Sequence, residues 1–343
     1  MLAIVKYKEG DGFVELREVE EPKLLPGYVI IEVKAAGICG TDLHILHGDV
    51  EIPVKPPVVL GHEFSGVVSE VGEGVTSAKV GDRVTAENSR KVCGICRYCM
   101  TGSYNLCPQR LATGYAFDGA FAPYCMVPAE RVHHLPDNVD FVTGALSDPS
   151  ACAYHAVQEL TGIDAGDYVL ITGPGPMGLF SLQYVKANGG VVILTGLSRD
   201  KERLALGKEL GADYTVNVEK ENLRQICQDI TRGKGIDVVL ECSGSERAAQ
   251  QSFELLRKQG KYTQIGIFGS AININLDKLV YNELKVTGSF SQKYIPWEKA
   301  IALASQGKIK VKPLVTHLLT LQKWEEGFKK FESGEAIKVV FTL

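Results

Sequence analysis

The feature that most constrains the fold of this chain is a glycine-rich turn between an apolar strand and a helical pattern. Tyr168–Thr172 is an apolar run, and Gly173–Gly178 reads Gly-Pro-Gly-Pro-Met-Gly. In a G-x-G-x-x-G turn, the first glycine makes the turn, the second admits a pyrophosphate and the third lets helix pack on strand. The helix N-terminus adds free N–H groups for the phosphates. The sequence therefore predicts a dinucleotide site, with a ligand-free structural turn as the alternative, on Gly173, Gly175, Pro176, Met177 and Gly178.

Strands and helices alternate along the chain after this turn. Strands that alternate with helices pair in parallel through crossover helices, so the sequence predicts an α/β fold class with a doubly wound parallel sheet. The predicted elements are the helix Met177–Asn188, strand Val191–Thr195, helix Asp200–Leu210, strand Asp213–Val218, helix Asn222–Arg232, strand Ile236–Cys242, helix Glu246–Lys258 and strand Lys261–Gly266.

The end of the second strand indicates which dinucleotide the turn accepts. An acid about twenty residues after the turn binds the ribose hydroxyls of NAD in such folds. Here Gly196 or Ser198 stands at that position and Arg199 follows at once. A missing carboxylate beside a serine and an arginine favours a 2′-phosphate, so the sequence predicts NADP over NAD. The alternative is that the basic residues only form the solvated start of a helix that Asp200 caps.

The first 150 residues have a different pattern. Short β-branched runs, such as 29–34 and 64–71, are broken by glycine or proline, which predicts a small β-rich barrel or sandwich. After about residue 290, only the helix Trp297–Gln306 and the strand Ala336–Thr342 are predicted. This is too little for a separate domain, so we expect the segment to return to the first one. A length of 343 residues accommodates two domains.

Composition excludes several classes of protein. Lys and Arg number 37 against 41 Asp and Glu, so no basic field suggests a nucleic-acid partner or an anionic membrane. No apolar run approaches the ~20 residues of a membrane span, and lysines interrupt the N-terminal apolar run, which is no signal peptide. We therefore expect a cytoplasmic protein without membrane or nucleic-acid partners, whose nine cysteines form no disulfide framework.

Four of the cysteines form a compact group. The spacings between them are two, two and seven residues, within one loop. Four thiolates with no open position are typical of structural zinc. An iron–sulfur cluster is the rival, but the bacterial ferredoxin run has three residues before its last cysteine. The sequence predicts that zinc folds this loop by binding Cys93, Cys96, Cys99 and Cys107.

A second set of metal-binding side chains is dispersed along the chain. Cys39 lies in Gly-Ile-Cys-Gly-Thr-Asp-Leu-His, and His62 and Glu63 lie in Gly-His-Glu-Phe-Ser-Gly-Val. Thiolate, imidazole and carboxylate, with a fourth position left for water or substrate, suit a catalytic zinc. Singly, Cys39 could be a core residue and His62 a hydrogen-bonded one. Their combination with a nucleotide fold indicates catalysis.

Together these motifs resemble the zinc-dependent medium-chain alcohol dehydrogenase family over essentially the whole chain. The resemblance implies a GroES-like catalytic zinc domain over residues 1–153 and 290–343, and a Rossmann coenzyme-binding domain over 154–289. It implies two zinc ions per chain, one catalytic and one structural. Family members form homodimers or homotetramers, so a homo-oligomer is expected.

The resemblance also implies roles for the residues of the catalytic site. Cys39 and His62 match two zinc ligands, and Glu63 matches the carboxylate beside the metal. Asp148 lies where the family has its third ligand, a cysteine in alcohol dehydrogenases and a glutamate in polyol enzymes. A turn or cap role before Pro149 is the alternative for Asp148.

The reaction implied is hydride transfer between an alcohol and a nicotinamide, with zinc lowering the pKa of the alcohol oxygen. Thr41 matches the hydroxyl that takes the proton, and His44 the residue that passes it from the nicotinamide ribose to solvent. A plain surface histidine is the alternative for His44. Cys152 is a rival metal ligand, although its position implies that it faces the nicotinamide.

Within the family, the motifs resemble most the sorbitol/polyol (L-iditol) dehydrogenase branch, which implies a small-molecule polyol or alcohol substrate. The resemblance rests on Gly61–Gly66, the carboxylate at 148 and Val311–His317. Two positions depart from it, because Ser291-Gln292 replaces an Arg-Tyr pair and Leu318 replaces an arginine.

Two other functions remain open. The L-threonine 3-dehydrogenase branch shares the Cys-Gly-Thr-Asp-x-His motif, and Lys293 is available there for a substrate carboxylate. A nucleotide-binding relative without catalysis is the other alternative, and it would need no open metal site.

Overall fold

Eight strands and short helices form the first part of the chain, which confirms the β-rich prediction. The computed structural model describes residues 1–343. The elements of this part are β1 (Leu2–Lys6), β2 (Val14–Glu18), β3 (Tyr28–Gly37), α1 (Gly40–His47), β4 (Val58–Val59), β5 (Glu63–Val71), β6 (Arg83–Ala86), α2 (Arg97–Met100), β7 (Tyr124–Pro128), β8 (Val132–His134), α3 (Phe141–Ala145) and α4 (Ser147–Tyr154). A π-helical segment, His155–Thr161, follows α4.

β3 is the central strand of this region. It reads Tyr-Val-Ile-Ile-Glu-Val-Lys-Ala-Ala-Gly, and most of its residues are buried, as expected for a β-branched strand within a core. β3 pairs antiparallel with β5 and β7, and pairing continues from β5 through β6 to β8. β1 forms a separate antiparallel sheet with β2 and β4. The carboxyl end of β3 therefore lies beside the amino end of β5.

Six parallel strands form the next sheet, which confirms the doubly wound α/β prediction. Its order is β11-β10-β9-β12-β13-β14. The strand order reverses beside β9, and ligands of such folds bind outside the carboxyl ends of the strands at that point. The elements are β9 (Tyr168–Thr172), α5 (Pro176–Ala187), β10 (Val191–Gly196), α6 (Lys201–Glu209), β11 (Tyr214–Asn217), α7 (Leu223–Thr231), β12 (Ile236–Glu241), α8 (Glu246–Leu255), β13 (Leu256–Gln264), α9 (Asp277–Tyr281) and β14 (Lys285–Gly288).

The largest boundary difference from the sequence prediction lies between α8 and β13, and the other predicted elements of this sheet differ by one or two residues at their ends. The helix predicted to end at Lys258 ends at Leu255, and β13 begins at Leu256. Leu256 pairs with Ile236 of β12 ahead of a bulge, and Gln259 adopts a φ of 58°. The helix ends because Leu256 is already extended and pairs with β12, although the local sequence favours continuation of the helix.

The last segment contains α10 (Tyr294–Ser305), β15 (Val315–Leu319), α11 (Trp324–Glu332) and β16 (Lys338–Thr342). β16 pairs antiparallel with β3 and parallel with β15, so the final strand joins the sheet of the first region. Neither β15 nor α11 was predicted, because β15 is short and only half-buried or exposed and α11 buries only Gly327 and Phe328.

The chain forms two compact units with separate hydrophobic cores. The first contains Met1–Asp148, Gln292–Gln306 and Val311–Leu343, and the second contains Pro149–Ser291 and Gly307–Lys310. Branched aliphatic residues dominate both cores, and phenylalanines such as Phe64 and Phe341 also pack in the first. None of the helices has the length and apolar character needed to span a membrane.

Candidate active site and metal sites

Three of the predicted metal ligands come together at the end of β3. The Cys39 thiol, the His62 imidazole and the Glu63 carboxylate each place one donor atom within 4.8 Å of the others. Cys39 is the N-cap residue of α1, and Glu63 begins β5. Because Gly37 of β3 pairs with Glu63 of β5, the antiparallel register brings the thiol to the imidazole. This donor set suits zinc.

Glu63 is held by a buried lysine. Its Oε2 accepts a 2.5 Å hydrogen bond from Nζ of Lys338 in β16, and the same ammonium group donates to the Ile38 carbonyl at 2.6 Å. Burial raises the pKa of the Glu63 carboxyl, and Lys338 opposes that rise. A Cβ at Gly37 would lie 2.5 Å from Glu63 Oε2, so the site requires glycine there. Lys338 was not among the predicted residues; its signal was a lysine at the start of a β-branched strand.

Asp42 is a further site residue for which no role was predicted. Its Oδ2 accepts a hydrogen bond from the Cys39 N–H at 2.8 Å. Its Oδ1 lies 3.6 Å from His62 Nδ1, and neither of these buried atoms has a hydrogen-bond partner. A carboxylate that faces one ring nitrogen orients a histidine whose other nitrogen binds metal. The spacing Cys-x-x-Asp, typical of a helix cap, was the available signal.

The charge state of His62 reflects these neighbours. Burial lowers the pKa of His62, but the Asp42 carboxylate and the Cys39 thiol together raise it well above its usual value. The structure therefore concentrates negative charge around this imidazole. A bound cation would satisfy the same charge without a proton on the ring.

Asp148 lies in the first turn of α4 and is buried. It is not within 4.8 Å of all three donor atoms of Cys39, His62 and Glu63. Its Oδ2 accepts a 2.8 Å hydrogen bond from Nε2 of Gln292, and burial raises the pKa of its carboxyl although nearby His62 lowers it. Gln292 was noted in the sequence only as a departure from the polyol pattern. Cys152, also in α4, belongs to neither group of metal donors.

Thr41 and His44 lie one turn apart on α1. Residues three apart on a helix share a face, so both side chains follow Cys39 along one side. Thr41 Oγ1 lies 3.6 Å from the Cys39 sulfur. His44 is partly exposed, and its Nδ1 lies 2.9 Å from Asp49 Oδ1. Thr41 is thus beside the metal donors, and His44 is open to solvent.

The four-cysteine loop brings its sulfurs together without a disulfide. All four thiols are free, and their donor atoms lie within 4.8 Å of one another. The Cys96 N–H donates to the Cys93 sulfur at 3.3 Å, and the Cys99 N–H donates to the Cys96 sulfur at 3.5 Å. Backbone hydrogen bonds from Ile95 and Cys96 lower the pKa of Cys93 to about 6, which favours the thiolate that metals bind.

Tyr104, between the third and fourth cysteines, connects this loop to a buried polar cluster. Its hydroxyl donates to both carboxylate oxygens of Glu87, at 2.9 and 2.7 Å. Glu87 Oε1 also lies 3.3 Å from Nε2 of His133, whose ring stacks on Trp297 of α10. The loop is therefore anchored at one fully buried carboxylate.

The predicted dinucleotide turn lines a cavity of about 560 Å³ at the carboxyl ends of β9 and β10. A Cβ at Gly178 would lie 2.0 Å from the Gly173 carbonyl oxygen, so close helix packing requires glycine there. A Cβ at Gly175 would meet nothing within 4 Å, which leaves space for a phosphate beside the backbone. Pro176 and Met177 form the first turn of α5, and Gly175 is its N-cap. This geometry fits a dinucleotide.

The end of β10 places basic residues and one unpredicted acid on the same cavity. Gly196, Arg199 and Arg203 line it, and Arg199 is exposed. Glu219 also lines the cavity, and its Oε2 accepts a 2.7 Å hydrogen bond from the Ser198 N–H. Hydrogen bonds from Ser198 lower the pKa of Glu219, so this carboxylate is ionised at neutral pH. No motif signalled Glu219, which follows a different strand, β11.

These sites define a class of protein, a zinc-binding dehydrogenase that uses a nicotinamide dinucleotide. Comparison with known families agrees. The alcohol dehydrogenase GroES-like domain matches residues 25–137, and the zinc-binding dehydrogenase domain matches residues 176–306.

Full-length relatives show the family itself. Sorbitol dehydrogenase of Halalkalibacterium halodurans is 46% identical, with 100% of this chain and 99% of the relative covered. D-arabitol-phosphate dehydrogenase of Enterococcus avium is 40% identical, with 99% and 97% covered. L-threonine 3-dehydrogenases are also among the relatives, at 37% identity for that of Pyrococcus furiosus. This chain belongs to the zinc-dependent medium-chain alcohol dehydrogenase family, on the polyol dehydrogenase-like side.

Solved structures show the same fold. A zinc-binding dehydrogenase of Sinorhizobium meliloti, bound to NADP, has a TM-score of 0.91 and 32% identity, with 100% of this chain and 99% of that chain covered. The protein is therefore an enzyme, an NAD(P)-dependent zinc alcohol dehydrogenase with a GroES-like region and a Rossmann sheet.

Proposed function

We propose that the enzyme transfers a hydride between the carbon that bears a secondary hydroxyl of a polyol or sugar alcohol and the nicotinamide of NADP, while the hydroxyl releases its proton. The observation that carries the proposal is the group of half-buried Cys39 with buried His62 and Glu63, oriented by Asp42 and Lys338. When bound there, zinc supplies a Lewis acid that makes the substrate hydroxyl easier to deprotonate. The four-cysteine loop holds a second, structural zinc.

The residues around the donors have distinct tasks. Cys39 and His62 hold the metal directly, Glu63 contributes a carboxylate fixed by Lys338, and Asp148 supplies the further carboxylate. Thr41, beside the Cys39 sulfur, accepts the proton of the substrate hydroxyl, and the partly exposed His44 exchanges it with solvent. His44 thus needs contact with water, which its position on α1 provides.

The coenzyme preference rests on the end of β10. Gly196 offers no carboxylate, and Arg199 presents a guanidinium group on the cavity for a 2′-phosphate. Glu219 disfavours NADP, because its negative charge repels the 2′-phosphate. Its carboxylate is engaged by the Ser198 N–H, and Arg199 partly offsets its charge.

A charge-assisted bond contributes roughly 1.5–3 kcal/mol, so Arg199→Ala is expected to raise the Michaelis constant for NADP about ten- to a hundredfold. The Michaelis constant for NAD should change little. Lys201→Ala, an exposed basic residue nearby that does not line the cavity, is the control. Glu219→Gln should strengthen NADP binding. Equal or better wild-type catalytic efficiency with NAD would contradict the preference.

The substrate class is supported by the carboxylate at position 148 and by the similarity to sorbitol and D-arabitol-phosphate dehydrogenases. The test is a panel of polyols, sugar alcohols, simple secondary alcohols and L-threonine, each with NAD and NADP. We expect the highest kcat/KM with a polyol or polyol phosphate. A preference for L-threonine would assign the enzyme to the threonine dehydrogenase branch instead.

We also propose a homodimer or homotetramer that forms through the edge strand β14. Large apolar side chains near this edge are exposed, including Ile267, Val280 and Tyr281 at 75%, 68% and 77%. An unpaired strand edge beside exposed apolar residues favours association with a second copy. Light scattering should show a dimer or tetramer that Val280→Glu dissociates, whereas Val80→Glu, exposed in the first unit, does not. A monomeric wild type would contradict this.

The location proposed is the cytoplasm. All nine cysteines are free thiols, including the four of the loop, and a reducing compartment preserves thiols for metal binding. Fractionation of the native host should recover the enzyme with cytoplasmic markers.

A further inference from the structure

A buried glutamine connects Asp148, the predicted third zinc ligand, to a chain of polar side chains. Gln292 is fully buried, and its Nε2 donates to Asp148 Oδ2 at 2.8 Å and to Asn88 Oδ1 at 3.5 Å. Its Oε1 is buried without a hydrogen-bond partner. A native core keeps such an unpaired acceptor only where the rest of the group has a role. The role of the Gln292 amide therefore lies in the hydrogen bonds that its Nε2 donates.

The orientation of this amide is set from Arg110. A guanidinium group has only donors, and Arg110 Nη2 donates to Asn88 Oδ1 at 2.7 Å. Asn88 must therefore present its oxygen on this side, and Gln292 must present its nitrogen to that oxygen and to Asp148. Arg110 is itself fixed by Ser89 Oγ at 2.8 Å and by the Tyr115 hydroxyl at 3.0 Å.

The same arginine also connects to the histidine of the metal site. The Tyr115 ring, whose hydroxyl Arg110 contacts, packs edge-on against the His62 ring, with centroids 6.2 Å apart. Arg110 thus contacts Tyr115, which packs on His62. It also contacts Asn88, which lies next to Gln292 and so connects Arg110 to Asp148. One side chain is therefore connected to both His62 and Asp148.

We propose that Gln292 is a positioning residue that holds Asp148 Oδ2 and so leaves the other oxygen, Oδ1, directed to zinc. The inference rests on the proposed function, in which Asp148 completes the donor set of Cys39, His62 and Glu63. Aspartate is one methylene shorter than the glutamate of polyol enzymes, so its reach depends on a fixed rotamer. Gln292 supplies that constraint at the position where many polyol enzymes have a tyrosine.

The test uses the full enzyme with its catalytic zinc exchanged for cobalt, whose visible spectrum reports ligand geometry. Gln292→Met keeps the side-chain length and removes the donor, and Gln292→Glu replaces the donor by a charge that repels Asp148. Outer hydrogen-bond partners of metal ligands are worth about 10–100-fold in metal affinity. We expect both variants to weaken zinc binding by that factor in chelator competition and to shift the cobalt spectrum. NADPH binding and the structural zinc should be unchanged.

Asp148→Asn separates this inference from the proposed function. If Asp148→Asn shifts the cobalt spectrum but Gln292→Met and Gln292→Glu bind zinc with wild-type affinity and spectrum, the positioning role is wrong and the ligand role stands. If Asp148→Asn itself has no effect, Asp148 is not a donor, and both its ligand role and the positioning role of Gln292 are wrong, whereas the proposed reaction is decided by the substrate panel. Circular dichroism and thermal unfolding verify that each variant is folded, and Asn88→Leu provides a second route, since it removes the partner that orients Gln292.

Discussion

The two metal-donor groups of this molecule are built in opposite ways. The four-cysteine loop takes all its donors from residues 93–107 and lies largely at the surface. The Cys39 group takes its donors from the ends of two paired strands and is surrounded by buried charges, Asp42 and Lys338. A local group of donors depends on its metal for its fold, whereas a group set in a sheet is already held by the protein. The first should therefore govern stability and the second activity.

The largest effect is expected when the buried group loses a donor. Cys39→Ser and His62→Ala should reduce turnover to below a few per cent of the wild-type value, because the metal that activates the substrate is lost. The fold and coenzyme binding should persist, since the sheet does not depend on this metal. The measurements are turnover and NADPH fluorescence titration. Retention of more than a few per cent of activity would contradict the assignment of Cys39 and His62 to a catalytic zinc site.

A cysteine-to-serine exchange in the four-cysteine loop should instead lower stability. Cys96→Ser is expected to lower the free energy of unfolding by about 4 kcal/mol or more, since loss of a metal is among the most destabilising changes. Activity per folded molecule should stay near the wild-type value. Denaturant unfolding and specific activity of the purified monodisperse fraction test this. Unchanged stability, or visible colour and iron in the native protein, would overturn the structural-zinc interpretation.

Lys338→Met tests the charges that hold the buried group. Removal of one partner of a buried ion pair costs about 3–5 kcal/mol, because Glu63 is left without its cation. The matched control is Lys330→Met, whose partner Glu335 is 59% exposed, and for which little or no loss of stability is expected because solvent screens the pair. Equal losses in the two variants would show that the Lys338–Glu63 pair contributes no more than a surface pair.

The smallest effect should come from the anchor of the loop. Tyr104→Phe removes the hydroxyl that donates to the buried Glu87 carboxylate, with an expected loss of about 1–3 kcal/mol in the free energy of unfolding. Tyr98→Phe, in the same loop but 41% exposed, is the control and should change stability little. An unchanged stability of Tyr104→Phe would mean that the loop is held by its metal alone.

The sequence predicts those features whose determinants are close together in the chain. The turn at Gly173–Gly178 and the start of α5 followed from a short motif, and the fold class followed from the alternation of strands and helices. The role of Lys338 did not, because it depends on the pairing of β16 with β3 across the chain. Likewise, Gln292 contacts Asp148, and Glu219 contacts Ser198, across long distances in the sequence. Spacing identifies donor atoms, but tertiary structure determines which side chains hold them.

The most direct test of the difference between the two sites is the zinc content of three purified proteins. Elemental analysis should give two zinc ions per chain in the wild type and one in each of Cys39→Ser and Cys96→Ser. Cys39→Ser should be folded but inactive, and Cys96→Ser should be unstable but active in its folded fraction. A wild type with one zinc per chain, or a Cys39→Ser variant that retains two, would contradict the assignment of a catalytic zinc to the buried group.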